Sequence, residues 1–519
     1  MTRPVAELLR VRSPATGEPL AEFPVATPEQ IHAAVAAARE AYPAWRDKSV
    51  AERIAYVRKL KNLIIDRLDE VVSRVTLATG KPHVEALASD VLVCVDLMRY
   101  YEGSAAEALA DEPRKGTGLY RLNRFTVTYQ PLGVVVIIAP WNHPLQLSLV
   151  PLITALIAGN TVLLKPSELT PTVGELLGEL CAEVGLPPGV VQVLQGGGRV
   201  GQALLETGPD KVFFTGSVAT GRQILRTAAE RLTPVELELG GNDPMIVFDD
   251  AQLDRAVAGA VYGAFANAGQ NCVAVERCYV QRGSYARFVE QVSKEAARLR
   301  VGSHREADLG PLIREAQREV LDDLLQDALA KGAEATTPIR WEGNRLHPVV
   351  LAHVNHTMEV MRQEVFGPVL PIMAFDTEPE AVALANDSPF GLNASVWTND
   401  SARAHRVAKQ LVTGSCAIND VLKNIGNPST PFGGVKHSGM GRYHGPEGLR
   451  SFSNQRVIMS NPQALQKEPN WFPYGDRLYT TLKALIQTVH SDDSSLSKLG
   501  HVAKGLRSAL LGSSSKDKS

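Results

Sequence analysis

Residues 134–165 read VVVIIAPWNHPLQLSLVPLITALIAGNTVLLK, and this stretch decides the fold. The apolar run at 134–139 predicts a buried strand, a helix continues to about residue 157, and residues 161–165 predict a second strand. The segment 140–144 interrupts the apolar region, so neither part reaches the roughly 20 residues that cross a bilayer. We therefore expect a strand–helix–strand unit buried in a folded domain.

The alternation of strands and helices continues after this unit. We predict a helix at 171–184, a strand at 190–194, a helix from about 199 and a strand at 211–215. A second series has predicted strands at 245–248, 278–280, 369–375 and 394–398 and helices at 251–267, 284–299 and 313–331. Residues 28–78 have the apolar spacing of helices. This alternation predicts an α/β fold, in which right-handed βαβ units place helices on both faces of parallel sheets.

Composition limits the classes of function. The chain has 519 residues, and that length predicts about two to four domains. The net charge of −2 gives no support for a nucleic-acid or anionic-membrane partner. Five cysteines without a C-x-x-C motif favour neither a zinc site nor a disulfide framework, and we expect no metal. The N-terminus lacks a signal-type apolar region, so a reducing, cytoplasmic location is predicted.

Two stretches together predict a dinucleotide site. The literal G-x-G-x-x-G at 196–201 lacks the acidic residue that normally follows the next strand, so we interpret it as a strand–helix turn. TVLLKPSE at 161–168 instead places Lys165 and Glu168 where both can reach ribose hydroxyls. FTGSVATG at 214–221 places Gly216, Ser217 and Gly221 at a strand-to-helix turn, where a helix N-terminus favours a pyrophosphate.

Further motifs carry a family resemblance: PWNHP at 140–144, LELGG at 237–241, GQNC at 269–272, EVFGP at 364–368 and PFGGVKHSGMGR at 431–442. With KPSE and FTGS, in this order and spacing, they resemble the NAD(P)-dependent aldehyde dehydrogenase superfamily from about residue 13 to about residue 460. The resemblance implies an aldehyde dehydrogenase-like fold, with a Rossmann-type cofactor domain, an α/β catalytic domain and a β-arm for oligomerisation.

The implied reaction oxidises an aldehyde to a carboxylic acid. A thiolate adds to the carbonyl, the thiohemiacetal loses hydride to NAD(P), and water hydrolyses the thioester. By resemblance Cys272 is the nucleophile, Asn142 the oxyanion donor and Glu238 the general base. Strand alternation places Glu236 on the same face as Glu238 and does not separate them. The glycine pair at 240–241 favours Glu238, because it leaves room for side-chain movement and cofactor approach.

The resemblance also implies the rest of the cofactor site. Trp141 packs against the cofactor, and Glu364 and Phe366 hold the nicotinamide ribose and pack near the ring. Glu168 favours NAD because a carboxylate repels a 2′-phosphate, although Lys165 leaves NADP open. The substrate is an unidentified aldehyde, whose tunnel we expect to include His143, Asn271 and Val273 and the stretch 421–427.

Two other functions compete with this one. The first is acyl transfer to coenzyme A on the same fold, which Glu238 disfavours because acylating members usually lack that carboxylate. The second is a non-catalytic binding protein, which the presence of Cys272, Asn142 and Glu238 disfavours.

The domain boundaries follow from the same reasoning. We expect a cofactor domain at 1–119 and 131–240, a catalytic domain at 241–430, and oligomerisation elements at 120–130 and 431–460 that build a homodimer or homotetramer. Residues 461–519 form a C-terminal extension with amphipathic pieces and an end, GSSSKDKS, whose composition is typical of disorder. We favour packing of this extension on the enzyme body or a partner subunit over binding to a membrane surface.

Overall fold

The computed structural model describes residues 7–117, 120–121, 123–302, 306–463, 466, 468, 471–490 and 500. The chain divides into two compact units. One comprises Met1–Glu112 and Thr128–Arg456, and the other comprises Pro113–Val127 and Val457–Ser519. The sequence patterns noted at 491–499 and 501–519 lie outside the described residues. Among those that are described, no helix combines the length and apolarity needed to cross a bilayer.

The helices of the described residues are α1 Pro28–Arg46, α2 Val50–Asp66, α3 Leu68–Thr79, α4 His83–Glu85, α5 Val93–Ala108, α6 Gln146–Ala158, α7 Pro171–Glu183, α8 Gly198–Glu206, α9 Val218–Ala229, α10 Leu253–Phe265, α11 Arg282–Ala296, α12 Gln317–Ala330, α13 Glu378–Asn386, α14 Ser401–Ala408, α15 Lys423–Gly426, α16 Gly445–Ser451 and α17 Asp476–His490. A π-helical stretch, Ala86–Leu92, joins α4 to α5, and short 3₁₀ turns lie at Ala266–Gly269, Glu359–Met361 and Lys436–Ser438.

The strands are β1 Leu8–Arg12, β2 Pro19–Pro24, β3 Glu112–Lys115, β4 Arg124–Pro131, β5 Val134–Ile138, β6 Thr161–Lys165, β7 Val191–Val193, β8 Lys211–Gly216, β9 Val235–Leu239, β10 Asp243–Val247, β11 Val275–Gln281, β12 Glu334–Ala335, β13 Trp341–Glu342, β14 Arg345–Leu346, β15 Val349–Ala352, β16 Val369–Phe375, β17 Ser395–Trp397, β18 Ala417–Ile418, β19 Gly439–Met440 and β20 Ser453–Ser460.

The first large sheet contains the stretch that decides the fold. Its strand order is β19-β9-β8-β5-β6-β7, and all pairs from β9 to β7 are parallel. Only β19 is antiparallel, against β9. Strand β5 pairs with β6 on one side and β8 on the other, so the chain reverses its direction of winding at β5. This confirms the Rossmann-type prediction, and ligands bind beside such a reversal at the carboxyl ends of the strands.

The second large sheet has the order β12-β15-β16-β11-β10-β17-β18. Its pairs from β15 to β18 are parallel, and β12 is antiparallel at one edge. Buried apolar residues cover both faces, as in the cluster around Phe248, Tyr279 and Phe375 and the cluster around Phe265, Phe288 and Trp397. The predicted α/β fold with two series of strands is therefore confirmed.

Helix caps explain where the N-terminal helices begin. Thr27 and Gln30 form a capping box at α1, and Ser49 and Glu52 form another at α2. The third helix ends at Gly80, whose φ of 73° lies in the left-handed region that glycine adopts without strain. Side-chain oxygens and a glycine thus define the predicted helical region 28–78.

A smaller sheet has three strands in the order β20-β4-β3. Strand β20 is at its edge, and Val457, Ile458 and Met459 on it are 63%, 42% and 52% exposed. Of the predicted oligomerisation elements, residues 124–130 lie on β4 and residues 453–460 form β20, whereas β19 within 431–460 pairs with β9 of the first large sheet. An exposed edge strand with apolar side chains is open to pairing with another chain.

Candidate active site

The carboxyl ends of the parallel strands bring the predicted residues of the first sheet together. Asn142 follows β5, Lys165 ends β6, Gly216 ends β8 and Glu238 lies near the end of β9. Parallel strands end at one edge of a sheet, so these residues share the edge beside the reversal at β5. The cysteine loop between α10 and β11 reaches the same place, since the backbone of Gly241, just past β9, closely approaches Cys272.

The loop that carries Cys272 has a tightly wound backbone. Asn267 and Ala268 have φ of 55° and 54°, and Gly269 has 71°. A Cβ on Gly269 would lie 2.1 Å from the carbonyl oxygen of Gly367, so only glycine fits there. The loop presents Cys272 half-buried, whereas Cys278 is fully buried in β11. The small residues of this loop therefore allow its backbone to pack closely against the segments that contain Gly241 and Gly367.

Asn142 is buried beside this loop. Its Nδ2 donates to the carbonyl oxygen of Gln270 at 3.1 Å, and its own carbonyl oxygen accepts from Lys81 Nζ at 2.8 Å and from Asn267 Nδ2 at 3.1 Å. The side-chain amide of Asn142 is thus held against Gln270, which lies two residues before Cys272 in the chain. An amide N–H in this position can donate to an oxyanion that forms on a carbon bonded to Cys272.

The two glutamates of β9 have different environments. Glu236 makes an ion pair with Lys211 Nζ at 2.7 Å and accepts a hydrogen bond from Ser451 Oγ at 2.9 Å. Glu238 is also buried, but neither of its carboxylate oxygens has a hydrogen-bond partner among the described residues. Burial and the nearby charge of Glu236 raise the pKa of Glu238 well above its usual value. Among the described residues Glu238 therefore has both oxygens without a hydrogen-bond partner, whereas Glu236 has only Oε1 without one.

The thiol of Cys272 has an environment that favours its neutral form. Burial raises its pKa, and the carboxylates of Glu364, Asp243 and Glu238 raise it further. A neutral thiol is a weak nucleophile, so the site needs a base to remove the proton when substrate is present.

Glu364 and Phe366 lie on the loop before β16. Burial, together with Glu276, raises the pKa of Glu364 to about 8. Glu364 Oε1 accepts from the backbone N–H of Gly241 at 3.2 Å, and a Cβ on Gly240 would lie only 2.3 Å from its carboxylate. The rings of Trp141 and Phe366 meet edge to face with centroids 5.4 Å apart.

Glu276 supports this loop and was missed in the sequence. Its two oxygens accept from the backbone N–H groups of Val365 at 2.9 Å and Phe366 at 2.8 Å. Phe366 has φ of 48°, a left-handed conformation that costs a bulky residue energy and that these hydrogen bonds stabilise. Burial raises the pKa of Glu276 to about 7. No sequence motif marks it, because its partners are 89 and 90 residues away.

The remaining predicted cofactor residues lie at the carboxyl ends of β6 and β8 and in the first turns of α9. Lys165 Nζ lies 3.2 Å from Glu168 Oε2, so one amine and one carboxylate stand together after β6. Ser217 caps α9 by accepting from the N–H of Thr220 at 3.3 Å, and a helix N-terminus favours an anion such as a pyrophosphate. A Cβ on Gly221 would lie 2.8 Å from Leu239, so glycine lets α9 pack closely on β9.

A cavity of about 1450 Å³ reaches the cysteine loop at His143 and Asn271. Its apolar lining includes Leu92, Val93, Val257, Val261, Leu422 and Ile425. The predicted tunnel residues His143 and Asn271 and most of the stretch 421–427 line it, whereas Val273 is buried and does not. The cavity is wide enough for a substrate much larger than a few carbon atoms.

A Rossmann-type sheet whose reversal faces a cysteine, an amide and an unpaired carboxylate is typical of dinucleotide-dependent oxidoreductases that work through a thiol. The model of the Aldehyde dehydrogenase family matches residues 2–458. The chain belongs to this family, whose members oxidise aldehydes with NAD(P), and the predicted resemblance is confirmed.

Named relatives agree with this assignment. The chain is 45% identical over 488 residues to a 4,4'-diapolycopene aldehyde oxidase of Methylomonas sp., covering 94% of this chain and 92% of that protein. It is 39% identical over 454 residues to a betaine aldehyde dehydrogenase of Cereibacter sphaeroides, covering 86% and 92%. A crystal structure of a Mycobacterium tuberculosis aldehyde dehydrogenase complexed with NAD+ is 36% identical, with a TM-score of 0.85 over 90% of this chain and 97% of that one.

Proposed function

We propose that this aldehyde dehydrogenase forms a carboxylic acid through a covalent intermediate on Cys272, with Asn142 as oxyanion donor and Glu238 as general base. The observation that carries the proposal is the buried carboxylate of Glu238, which has no hydrogen-bond partner among the residues that the structure describes, beside a glutamate that is already paired. The two residues share one strand face, and in the described part of the chain both oxygens of Glu238 lack a hydrogen-bond partner, whereas Glu236 keeps Lys211 and Ser451.

In the first step Glu238 removes the thiol proton of Cys272, and the sulfur bonds to the aldehyde carbon. The carbonyl oxygen becomes an alkoxide, which accepts hydrogen bonds from Asn142 Nδ2 and from the backbone N–H of Cys272. When bound, the nicotinamide ring supplies the hydride acceptor. The carbon–hydrogen bond then breaks as the carbonyl re-forms, and a thioester remains on the sulfur.

Glu238 first releases the thiol proton to solvent and is again a carboxylate. In the second step it takes a proton from water, and the resulting hydroxide attacks the thioester carbon. The carbon–sulfur bond breaks, which releases the acid and returns the sulfur of Cys272 for protonation. Water as the acceptor distinguishes this reaction from acyl transfer to coenzyme A.

The experiment is an assay of cofactor reduction and acid formation with and without coenzyme A. We expect unchanged rate and acid product when coenzyme A is added, and no turnover in Cys272→Ala. Formation of an acyl-coenzyme A would overturn the choice of water, and full turnover of Cys272→Ala would overturn the covalent route.

We propose NAD as the preferred cofactor. The carboxylate of Glu168 is half exposed after β6, where it would accept hydrogen bonds from ribose hydroxyls and repel a 2′-phosphate. The amine of Lys165 lies 3.2 Å from this carboxylate. Its positive charge would attract a 2′-phosphate, so we expect NADP to bind as well, but more weakly than NAD.

The substrate we propose is a long, apolar aldehyde. The lining of the 1450 Å³ cavity combines aliphatic side chains with charged ones such as Glu85, Lys294 and Arg298, and the relative with 45% identity is named a 4,4'-diapolycopene aldehyde oxidase. Its aromatic lining is limited to Tyr262 and Phe265 among the described residues, which gives a cationic substrate such as betaine aldehyde little cation–π stabilisation. An extended hydrocarbon would instead pack against the aliphatic part of the lining.

We also propose a homodimer or homotetramer in the cytoplasm. The exposed apolar side chains on the edge strand β20 support assembly, and five free cysteines support a reducing compartment. In the proposed domain assignment, residues 1–119 and 131–240 bind the cofactor, residues 241–430 carry out catalysis, and residues 120–130 and 431–460 mediate assembly.

For the C-terminal extension we keep the proposal that helix α17 packs on a subunit. Leu478, Leu482 and Leu485 form a half-buried apolar stripe, and no described side chain of α17 is fully buried. The alignment with the 45% identical relative spans 488 of 519 residues and so includes most of α17. Contact with a second subunit would complete the burial of this stripe.

A further inference from the structure

A fully buried ion pair lies behind the active-site loop and has no part in the mechanism above. Lys81 Nζ and Asp90 Oδ2 are 2.8 Å apart, and their side chains are 1% and 0% exposed. Burying two charges is costly unless other polar groups satisfy them, so the remaining partners of the pair show what it holds.

Lys81 uses its other donors on the loop that carries the oxyanion donor. Its Nζ donates to the carbonyl oxygen of Asn142 at 2.8 Å and faces His143 Nδ1 at 3.3 Å. Asp90 holds the far end of the same loop, since its Oδ1 accepts from the backbone N–H groups of Leu145 at 3.2 Å and Gln146 at 3.4 Å. One ion pair therefore fixes the loop at both ends.

The network continues from this loop to the nucleophile. An ammonium group has only donors, so His143 Nδ1 must accept from Lys81, and the ring proton is on Nε2. His143 Nε2–H then donates to Asn271 Oδ1 at 2.8 Å, and Asn271 immediately precedes Cys272. Four side chains thus connect the π-helical stretch, the oxyanion loop and the cysteine loop.

We propose that Lys81 and Asp90 are positioning residues, which hold Asn142 and the Cys272 loop in one fixed arrangement and set the Nε2–H tautomer of His143. The inference rests on the proposed roles of Asn142 and Cys272. Neither Lys81 nor Asp90 touches the reacting atoms, and both act through the backbone and through His143.

The charges around His143 make the proposal testable. The charged groups that face its ring are Lys81 and Asp90, and Asn271 is neutral. Burial and then Lys81 lower the pKa of His143, while Asp90 Oδ2, 3.6 Å from Nδ1, raises it. Removing Lys81 alone therefore leaves a carboxylate that favours a charged imidazole, and removing both charges leaves burial to keep the ring neutral.

The test compares Lys81→Met with the double variant Lys81→Met/Asp90→Asn, which leaves no unpaired buried charge. We expect kcat to fall about 10²-fold in both, since a displacement of about 1 Å has that effect, with little change in KM. By NMR the His143 signal, assigned through its loss in His143→Gln, should titrate at higher pH in Lys81→Met and revert in the double variant.

The matched control is Lys61→Met/Glu102→Gln, which removes another largely buried ion pair, between α2 and α5, whose two members do not lie on the oxyanion loop. It should lower thermal stability while kcat at 20 °C, roughly room temperature, stays near that of the parent. Wild-type kcat in the folded Lys81→Met/Asp90→Asn variant, or an unshifted His143 titration in Lys81→Met, would overturn the proposal. Turnover by Cys272→Ala would instead overturn the proposed function, and the His143 titration would still report on Lys81.

Discussion

Replacing Glu238 and Glu236 in turn by glutamine gives the sharpest test of the active-site assignment. The two residues are on one strand face, and both are buried. Glutamine keeps the size of each side chain and removes only the negative charge. If Glu238 is the base and Glu236 a structural partner of Lys211, Glu238→Gln should lose activity and keep its stability, and Glu236→Gln should lose stability and keep its activity.

The expected magnitudes come from the contacts of each carboxylate. Glu236→Gln leaves Lys211 buried without its 2.7 Å counter-charge, and breaking a buried pair costs about 3–5 kcal/mol of folding free energy. Glu238→Gln breaks no hydrogen bond among the described residues and instead removes a general base, which typically contributes about 10²–10⁴-fold to the rate. We expect a large loss of kcat only for Glu238→Gln and a large loss of stability only for Glu236→Gln.

The raised pKa of Glu238 also fixes the sign of its pH effects. Between the usual glutamate pKa and the raised native value, the folded state binds a proton that the unfolded state has lost. Stability therefore falls as pH rises through this window, and Glu238→Gln should melt at the same or a higher temperature than the parent at pH 8, roughly the upper end of the physiological range. The rate of hydrolysis should rise with pH as Glu238 loses its proton.

The assay combines steady-state turnover, thermal melting and a pH–rate profile for the parent and both variants. Glu238→Gln should lose the rising limb that belongs to its carboxylate. Melting temperatures must be compared at one pH and one protein concentration, because subunit assembly makes the melting temperature depend on concentration. A stable Glu236→Gln with little turnover, together with an active Glu238→Gln, would refute the assignment and make Glu236 the base.

The remaining predictions concern the oxyanion, the cofactor, the substrate and the tail. Asn142→Ala should lower kcat about 10²–10³-fold with little change in KM, and a change confined to KM would contradict the oxyanion role. Glu168→Ala should improve NADP turnover relative to NAD, and an unchanged ratio would show that Glu168 does not select the cofactor. Val261→Trp should narrow the cavity and reduce kcat/KM for long-chain aldehydes more than for propanal, whereas an equal loss for both would count against the apolar cavity as the substrate site. A chain ending at residue 460 should have a lower assembly mass or stability by light scattering and melting, while loss of liposome flotation alone would favour a membrane role for the tail.

Much of the fold could be predicted because buried parallel strands are continuous apolar runs between turn residues. The predicted strands at 161–165 and 369–375 agree with β6 and β16 residue by residue. Helix ends were less accurate: the region predicted at 284–299 is α11, Arg282–Ala296. The hairpin of β1 and β2 and the π-helical stretch at 86–92 were not predicted, since neither has a strong apolar period.

The choice between Glu236 and Glu238 shows why a site is harder to predict than a fold. A period of two residues places both side chains on one face, so the alternation within β9 does not separate them, and only the glycine pair at 240–241 after the strand favours Glu238. The separation comes from Lys211 on the neighbouring strand β8, which pairs with Glu236 alone. Such a partner is set by strand register, which short sequence patterns do not reveal.

The electrostatics of the site favour a base inside it over release of the thiol proton to solvent. Burial raises the pKa of Glu238, Asp243, Glu276 and Glu364, and nearby carboxylates raise the pKa of the thiol they surround. Releasing the proton of Cys272 to water would add a negative charge to a region of low dielectric. Moving it from the sulfur to ionised Glu238 leaves the total charge unchanged, because one anion replaces another. The crowding of acids that makes the resting thiol unreactive therefore makes transfer to a carboxylate within the site the favourable route to the thiolate.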